Sequence, residues 1–420
     1  MYFYVQFQLF WVERIIIMRK IPFSPPDLGQ DEIDAVVEVL KSGWITTGPK
    51  TKLLEKRIGE YCHTGQAVCL SSQTSCAEMT LRILGVGPQD EVILPAYTYT
   101  ATASVVYHVG ATPVMIDCKP GTFEMDYDKM EAAINEHTKV IIPVDLAGIV
   151  CDYDRIYEAV RNKRELFQPN PNSKIQQLIG RVVIMADGAH AFGARWHGQM
   201  CGEIADFTNF SFHAVKNMTT AEGGAAVHRL RTRIDEEKVY KQYMLWSLHG
   251  QTKDALAKNT AASWEYDVVN AQYKCNMPDV LAAIGLAQLS RYEKILDRRH
   301  ELIKRYDEAF KDLDLQLLEH TSENHRSSGH LYFVRFLGKD AEFRNEFYNR
   351  MAENGVMCNV HFKPLPMLSA YKNKGFDIKD FPYAYNMHKN QLTLPMNSTL
   401  TDDDAQYVID TFLKVYDSMM

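Results

Sequence analysis

The chain has 420 residues, of which 46% are hydrophobic and 24% charged, so it is long enough for two domains and too apolar to be disordered. The formal net charge of -7 argues against a nucleic-acid or anionic-membrane surface, and any anionic ligand must be bound by a local cluster of donors. The eight cysteines form no CxxC pair, which predicts free thiols in a reducing cytoplasm.

Residues 1–17, MYFYVQFQLFWVERIII, are apolar but contain Glu13 and Arg14. The stretch is too short to span a bilayer and lacks both a basic start and a small-residue cleavage site, so no export signal is predicted. Met18 opens MRKIPFSPPDLG, a more usual beginning for a soluble enzyme. Residues 1–17 are therefore expected to be an N-terminal extension, and the sequence assigns them no role.

Short apolar runs alternate with helical patterns from about residue 67. The runs AVCLS, EVILPA, TPVMID, KVIIPVD and RVVIMAD are separated by segments such as AEMTLRILG, TATASVVYHVG and YDRIYEAVRNK. Strands that alternate with helices pair in parallel and are covered on both faces, so the pattern predicts an α/β fold with a mostly parallel sheet. Residues 164–180 interrupt the pattern with two prolines and two asparagines and are predicted to form a surface insertion.

The second half of the chain predicts a smaller domain. PDVLAAIGLAQLSRYEKILDRRHELIKRYDEAF begins at Pro278, a residue suited to a helix start, and predicts a long helix between two domains. After it, LYFVRF, CNVHF and QLTLPM alternate with helical patterns, which is typical of an α+β domain. The expected division is a large domain over 18–275, a bridging helix over 276–318 and a small domain over 319–420.

A cluster of hydroxyl side chains follows the first predicted strand. LSSQTSCAEMTLRIL places Ser71, Ser72, Thr74 and Ser75 before an apolar helical pattern. Hydroxyls, free backbone N–H groups and the positive end of the helix dipole together form a seat for a phosphate. A plain N-cap by Ser72 or Thr74 is the simpler interpretation of this motif taken alone.

Asp187 ends the predicted strand RVVIMAD, and open α/β sheets bind ligands at the carboxyl ends of their strands. A carboxylate there needs a cationic partner, although a helix cap or a structural ion pair would also explain it. His190, three residues later in DGAHAFG, is as compatible with a packed core histidine as with a ligand contact.

Lys216 stands between an aromatic strand end and a Gly-Gly pair in FSFHAVKNMTTAEGGAAV. A lone lysine is most simply a surface residue, but one fixed beside a close-packed backbone needs a reason. Pyridoxal 5'-phosphate (PLP) requires a lysine that forms a Schiff base, an acid facing the pyridine nitrogen and a phosphate seat. Lys216, Asp187 and the hydroxyl cluster supply all three, which predicts a PLP site where the Lys216 amine also moves a substrate proton.

Two tyrosines, Tyr97 and Tyr99, lie in PAYTYTATA at a strand-to-helix corner between the hydroxyl cluster and Asp187. A tyrosine ring at this corner could stack on a cofactor, and packing in the core is an equally good interpretation.

These motifs resemble those of the DegT-StrS type of PLP-dependent nucleotide-sugar aminotransferases. SGWITTGPK, SSQTS, QDEVILPAYTYTAT, GATPVMID, DGAHAFG and FSFHAVKNMTTAEGG match in order and spacing, and the similarity covers nearly the whole chain. Within the family, the lysine motif is similar to that of the branch that makes UDP-4-amino-4-deoxy-L-arabinose. The resemblance implies the aspartate-aminotransferase-like fold (PLP fold type I), with a seven-stranded central sheet in the large domain and a smaller C-terminal α+β domain.

The resemblance also implies roles for individual residues. Lys216 would link covalently to the cofactor, Asp187 would pair with its pyridine nitrogen, Tyr99 would stack on its ring and His190 would lie beside the ring. The residues implied to hold the phosphate are Thr74, Ser75 and Ser211, together with Asn276 from the partner subunit. A homodimer with shared active sites is therefore expected. Those implied on the sugar-nucleotide side are Trp44 and Thr46 of GWITTGP and His361 of NVHFKP.

By this resemblance, the expected reaction is amino transfer from an amino acid, expected to be L-glutamate, to the keto carbon of a nucleotide-activated keto-deoxysugar. Such sugars serve cell-surface polysaccharides and glycans, and neither a metal nor a membrane or nucleic-acid partner is expected. A few relatives instead remove a sugar hydroxyl, and they have histidine at the position of Lys216. A non-catalytic PLP-binding regulatory protein is a third and more remote interpretation.

Three features depart from the family pattern: the 164–180 insertion, the N-terminal extension and Pro366 in HFKPLP, where relatives often have a histidine. Pro366 is expected near the substrate, so the identity of the sugar stays open. The chemistry predicted at Lys216 is unaffected.

Overall fold

The computed structural model describes residues 19–258 and 265–420, so the predicted N-terminal extension over 1–17 lies outside the described residues. The helices are α1 (Gln30–Ser42), α2 (Pro49–Tyr61), α3 (Gln73–Ile83), α4 (Thr100–His108), α5 (Tyr127–Ala133), α6 (Tyr153–Asn162), α7 (Lys174–Ile179), α8 (Glu236–Ser247), α9 (Ala255–Lys258), α10 (Asp279–Ser290), α11 (Tyr292–Phe310), α12 (Ala341–Glu353), α13 (Ser369–Lys372), α14 (Pro382–Lys389) and α15 (Asp402–Met419). The strands are β1 (Val68–Leu70), β2 (Glu91–Pro95), β3 (Thr112–Ile116), β4 (Thr138–Ile141), β5 (Val183–Asp187), β6 (Arg195–Trp196), β7 (Gln199–Met200), β8 (Phe207–Ser211), β9 (Gly224–His228), β10 (Leu315–Leu317), β11 (His325–Arg326), β12 (Tyr332–Phe336) and β13 (Gln391–Leu394).

Seven strands form the central sheet in the order β1-β9-β8-β5-β4-β2-β3. The neighbours β3, β2, β4, β5 and β8 run parallel, and β9 runs antiparallel to both β8 and β1. Alternate strand residues enter two separate apolar clusters: Ile141 and Ile184 lie in one, and Val140 and Val183 lie in the other. The sheet is therefore buried on both faces, which explains its continuous apolar runs and confirms the predicted α/β fold.

A second sheet of three antiparallel strands, in the order β10-β12-β13, forms the core of the smaller C-terminal unit. The ring of Phe347 on α12 lies 4.6 Å from that of Phe336 on β12 and 4.9 Å from that of Phe412 on α15. These helices bury the apolar face of the sheet. The α+β character predicted for this part of the chain is confirmed.

The long helix predicted from Pro278 is two helices in the structure, α10 and α11, which are interrupted at Arg291. The Arg291 guanidinium donates to Glu32 Oε1 at 3.0 Å and to the Asp27 carbonyl oxygen at 2.7 Å. This anchor draws the backbone out of helical geometry where the chain passes α1. The helix α11 ends at Phe310 and β10 begins at Leu315, so the last residues of the predicted bridging segment are not helical.

The 164–180 segment is more than a surface loop. It contains α7, which Ser173 caps by accepting the Gln176 N–H, and the exposed Leu178 lies on its outer side. The fully buried Gln176 donates to the Leu84 carbonyl oxygen at 2.8 Å, and Asn170 donates to that of Gly85 at 2.7 Å. The segment thus satisfies carbonyl groups at the C-terminal end of α3. Within residues 19–258 and 265–420, no helix has the length and apolarity needed to cross a membrane.

Candidate active site

A cavity of about 350 Å³ opens where β5 and β8 end and α3 begins. This volume lies within the range of about 300 to 1,000 Å³ that is usual for small-molecule sites. Seven of the residues predicted for the site line the cavity: Thr74, Tyr99, Asp187, His190, Ser211, Lys216 and His361. The fold therefore brings together residues that are far apart in the sequence.

Lys216 lies in a turn after β8, where its backbone N–H donates to the His213 carbonyl oxygen at 2.9 Å. Burial lowers the pKa of the Lys216 ammonium to about 8, and the Asp187 carboxylate opposes this shift. The second glycine of the Gly-Gly pair allows the close packing, because a Cβ on Gly224 would overlap the backbone of Ser72 and Gln73. A neutral amine is therefore available at this position near neutral pH.

The lowered pKa of Lys216 predicts the pH dependence of cofactor capture. Only the neutral amine attacks an aldehyde, so the capture rate should rise as the ammonium loses its proton and reach half its maximum near pH 8. Stopped-flow absorbance of cofactor-free protein mixed with PLP measures this rate. A lysine with an ordinary pKa would give a half-maximal rate at about pH 10.4, and that result would contradict the environment described for Lys216.

Asp187 ends β5 and is buried. The Thr102 hydroxyl donates to its Oδ2 at 2.7 Å, and the Ala189 N–H donates to its Oδ1 at 3.2 Å. Burial raises the pKa of this carboxyl, and these two hydrogen bonds and the nearby Lys216 counteract the rise. A protonated ring nitrogen placed in the cavity would favour the ionised carboxylate further. Asp187 is thus oriented by its neighbours and faces the same cavity as Lys216.

The hydroxyl cluster serves both as a helix cap and as part of the cavity wall. Ser72 is the N-cap of α3 and accepts the Ser75 N–H at 3.0 Å. The Ser75 hydroxyl is within hydrogen-bond distance of the hydroxyls of Ser71, at 3.0 Å, and Ser72, at 2.8 Å. Thr74, in the first turn, and Ser211, at the end of β8, line the cavity. The N-cap interpretation is therefore confirmed for Ser72, and the phosphate seat stays a prediction for a loop that lines the cavity.

The two tyrosines of the strand-to-helix corner have different environments. Tyr97 is buried, and its hydroxyl donates to the His361 carbonyl oxygen at 2.6 Å and accepts the Phe362 N–H at 2.9 Å. Tyr99 is 60% exposed, lines the cavity and lies 5.8 Å from the Phe362 ring. Of the two, only Tyr99 is placed to contact a ligand, whereas Tyr97 joins the two domains.

Histidines form another part of the cavity wall. The His190 Nδ1 accepts the backbone N–H of Ala147 at 3.2 Å. The His361 Nδ1 is 3.1 Å from the Thr393 hydroxyl, and its ring stacks 5.5 Å from that of Phe23. Burial lowers the pKa of His361 to about 4 and that of His190 well below its ordinary value. Both imidazoles are therefore neutral at physiological pH.

Three of the predicted residues lie together in a different place. The Asn276 side chain donates to the Thr47 hydroxyl, the Trp44 indole donates to the Thr47 carbonyl oxygen at 3.3 Å, and the Thr46 carbonyl oxygen accepts the Asp279 N–H at 3.2 Å. Trp44, Thr46 and Asn276 do not line the cavity of their own chain, and neither does Ser75. The GWITTGP loop and Asn276 are thus one structural unit next to α10.

Several residues of the site carry no signal in the sequence. The Thr102 hydroxyl orients Asp187, His330 lines the cavity beside His190, and the Ser24 hydroxyl donates to the Val215 carbonyl oxygen at 3.2 Å. Ser24 and Phe23 lie in the IPFSPP segment, and His330 precedes LYFVRF. No local pattern marks these side chains, because tertiary packing brings them to the site: Thr102 from α4, Phe23 and Ser24 from the segment before α1, and His330 from the segment before β12.

The donor set fits PLP: an amine for the aldehyde, a buried carboxylate for the ring nitrogen, and hydroxyls at a helix start for the phosphate. Together, the fold and this set define a PLP-dependent aminotransferase of fold type I. The chain belongs to the DegT/DnrJ/EryC1/StrS aminotransferase family, whose profile matches residues 26–167 and 171–413. The family resemblance and the PLP cofactor are therefore confirmed. Nothing in these similarities singles out the arabinose branch.

Three relatives illustrate the similarity. The chain is 52% identical to the apo form of the proposed sugar aminotransferase Spr1654 of Streptococcus pneumoniae, and the match covers 96% of this chain and 98% of that one, with a TM-score of 0.92. Spr1654 has also been solved in its PLP form and in its pyridoxamine phosphate (PMP) form. It is 35% identical to the spore coat polysaccharide biosynthesis protein SpsC of Bacillus subtilis, over 93% of this chain and 95% of that protein. It is 25% identical to PseC of Helicobacter pylori, an aminotransferase involved in the biosynthesis of pseudoaminic acid, over 95% of this chain and 100% of that one, with a TM-score of 0.81.

Proposed function

We propose that this protein transfers an amino group from L-glutamate to the keto carbon of a nucleotide-activated keto-deoxysugar, within a pathway that makes sugars for cell-surface polysaccharides. The observation that supports the proposal most strongly is that Lys216 and Asp187 line the same cavity. Thr74, at the start of α3, lines this cavity as well. The relatives SpsC, a spore coat polysaccharide biosynthesis protein, and PseC, an aminotransferase of pseudoaminic acid biosynthesis, support the same class of substrate.

In this proposal, each residue of the chain has a defined task. Bound PLP supplies an electron-withdrawing ring that makes a proton on the amine-bearing carbon acidic. With the cofactor bound, the Lys216 amine would take up that proton and deliver it to the former aldehyde carbon on the other side of the substrate nitrogen. The Asp187 carboxylate keeps the ring nitrogen protonated, and Thr102 holds that carboxylate in place. Thr74 and Ser211 would hold the phosphate and Tyr99 would cover the ring, whereas Ser75, which does not line the cavity, would support the phosphate loop through its hydrogen bonds to Ser71 and Ser72.

We also propose a homodimer in the cytoplasm. The helix α1 carries an apolar stripe of Ile33, Val37 and Leu40, which are 56%, 38% and 56% exposed in the single chain. Such a stripe favours burial against another surface. Asn276 and the loop of Trp44 and Thr46 lie outside the cavity of their own chain. We therefore propose that they complete the cavity of a second copy, with Asn276 beside the cofactor phosphate and Trp44 and Thr46 beside the sugar nucleotide. All eight cysteines are free, which supports a reducing compartment.

The alternatives differ from the proposal in testable ways. A PLP-dependent sugar dehydratase of the same family would remove a hydroxyl and leave no nitrogen on the sugar, and the lysine at position 216 favours transfer. A non-catalytic PLP-binding regulatory protein would bind the cofactor without responding to any amino donor. The buried and oriented Asp187 argues against this second alternative, because a protein that only binds PLP does not need to hold its ring protonated.

The experiment follows the cofactor absorbance of the purified protein. L-Glutamate should convert the yellow PLP form into the colourless pyridoxamine phosphate form, and a UDP- or dTDP-linked 4-ketosugar should restore the yellow colour. Mass spectrometry of the nucleotide sugar should show that oxygen has been replaced by an amine. If glutamate and other amino acids leave the colour unchanged, the proposed function is wrong. Deoxygenation of the sugar without nitrogen gain would favour the dehydratase.

A further inference from the structure

Gln73 is a buried amide at the start of α3 that lines the cavity. It is the first residue of the helix, directly after the N-cap Ser72, and only 6% of its surface is exposed. Within residues 19–258 and 265–420, its side chain has no hydrogen-bond partner. Buried amides in proteins are almost always hydrogen-bonded, so a partner for this one has to come from the cavity.

The hydroxyl groups on either side of Gln73 are largely bonded to one another. Ser72 accepts the Ser75 N–H at 3.0 Å, and the Ser75 hydroxyl lies 3.0 Å from that of Ser71 and 2.8 Å from that of Ser72. These bonds hold the loop and the first turn of α3 together. The groups left for a ligand are the Thr74 hydroxyl, the Gln73 amide and the backbone N–H groups of the first turn, which have no acceptor within the helix.

The backbone of Gln73 is packed against the end of β9. Gly224 pairs with Leu70 of β1, and a Cβ on Gly224 would lie 2.4 Å from the Gln73 backbone nitrogen. Any larger residue at position 224 would push the start of α3 away from the sheet. The close contact therefore fixes the backbone from which the Gln73 side chain extends.

The charges around the cavity indicate which group of the cofactor Gln73 contacts. Among the described residues that line the cavity, Lys216 is the only lysine or arginine. Its amine is required for the PLP aldehyde, so it is not available to the phosphate. A phosphate ester carries a charge of about −1.5 to −2 at pH 7. Neutral donors of this chain must therefore supply part of its binding, and Gln73 lies at the positive end of the α3 dipole.

We propose that the Gln73 side chain binds the phosphate of PLP through its amide N–H groups, next to Thr74 and Ser211. The amide nitrogen has two hydrogens to donate, and the oxygens of a phosphate dianion only accept. The Gln73 amide nitrogen therefore faces the phosphate, and its carbonyl oxygen faces away. This inference depends on the PLP cofactor and not on the proposed transfer of an amine to a sugar.

Two variants of Gln73 separate hydrogen bonding from packing. Gln73→Leu keeps a side chain of similar size but removes both donors, and Gln73→Glu keeps the shape but replaces the donors with a negative charge. The control is Gln177→Glu, which makes the same change in charge at an exposed residue of α7. Circular dichroism and thermal unfolding establish that each variant folds. If Gln73→Leu does not fold, Gln73→Ala is measured instead.

The binding experiment titrates each cofactor-free protein with PLP and with pyridoxal, which has the same aldehyde and ring but no phosphate. Gln73→Leu should bind PLP about tenfold more weakly than wild type, because a hydrogen bond to a charged group is lost. Gln73→Glu should weaken PLP binding on the order of a hundredfold, because its carboxylate repels the phosphate. Pyridoxal affinity should stay unchanged in both variants, and Gln177→Glu should match wild type with both aldehydes.

Phosphorus NMR of the PLP-loaded proteins reports on the phosphate itself. Gln73→Leu should shift the resonance of the bound phosphate, and Gln73→Glu should raise the pKa of that phosphate, since a nearby negative charge disfavours the dianion. Gln177→Glu should leave the resonance in place. Folded Gln73 variants that keep the wild-type preference for PLP over pyridoxal, or that bind both aldehydes equally more weakly, would overturn the proposal. None of these measurements requires turnover, so the result is independent of whether the proposed function is correct.

Discussion

Replacing Lys216 by alanine should leave a folded protein that binds PLP noncovalently but transfers amine at least about a thousandfold more slowly. The physical reason is the loss of the single amine that both attacks the cofactor aldehyde and moves the substrate proton. Asp187 and the hydroxyls around Thr74 remain, so the binding groups for the ring nitrogen and the phosphate persist. Single-turnover absorbance with L-glutamate measures the rate, and equilibrium dialysis measures retention of the cofactor.

The matched control for this variant is Lys139→Ala. Lys139 is buried and its pKa, like that of Lys216, is lowered by desolvation, but it lies in β4 and donates to the Glu136 carbonyl oxygen at 2.6 Å. It is near the amino end of its strand, away from the cavity. Its loss should affect the unfolding temperature and leave the chemistry intact. Near-normal turnover in the Lys216 variant would remove the assignment of the catalytic lysine.

Replacing Asp187 by asparagine should weaken PLP binding and slow transfer on the order of a hundredfold, because the protonated ring nitrogen loses its charged partner. Thr102→Val should give the same defects in smaller measure, about tenfold, since it removes only the 2.7 Å hydrogen bond that orients the carboxylate. The two substitutions together should add little beyond the asparagine change. Fluorescence titration with PLP and single-turnover rates check both effects.

Asp117→Asn is the control for a buried carboxylate outside the cavity. Asp117 accepts the Ala384 N–H at 2.8 Å and caps the start of α14. Its replacement should lower stability through a weaker cap while PLP affinity stays near that of wild type. Unchanged kinetics in the Asp187 variant, together with a lowered unfolding temperature, would show that this acid is structural.

The central sheet was predictable because its strands are buried on both faces. Strands of this kind give continuous apolar runs in the sequence, such as KVIIPVD and RVVIMAD, and β4 and β5 lie in those two runs. The break between α10 and α11 was not predictable, because the local sequence is helical throughout and a distant anchor to α1 causes the interruption. The helix α7 was missed for a similar reason, since its Gln176 is buried by contact with the end of α3.

Site residues were predictable where they lie in a sequence motif with a recognisable chemical role. Residues that reach the site only through tertiary contacts were not predictable. Asp187 and Lys216 follow strands whose ends meet, so the sequence order indicated a shared cavity. Thr102 reaches the site from α4, and His330 reaches it from the second domain. Neither residue lies in a sequence pattern that predicts its contact with Asp187 or His190. Asn276 and the Trp44 loop lie outside the cavity of their own chain. Their predicted roles stay tied to the proposed dimer.

The most direct test of the central claim is to reduce the PLP-loaded protein with borohydride and map the labelled peptide by mass spectrometry. We expect one pyridoxyl group per chain, attached to Lys216 in the peptide that contains HAVKNMTT, with Lys139 unlabelled. A label on another lysine, or none in a protein that retains its cofactor, would contradict the account.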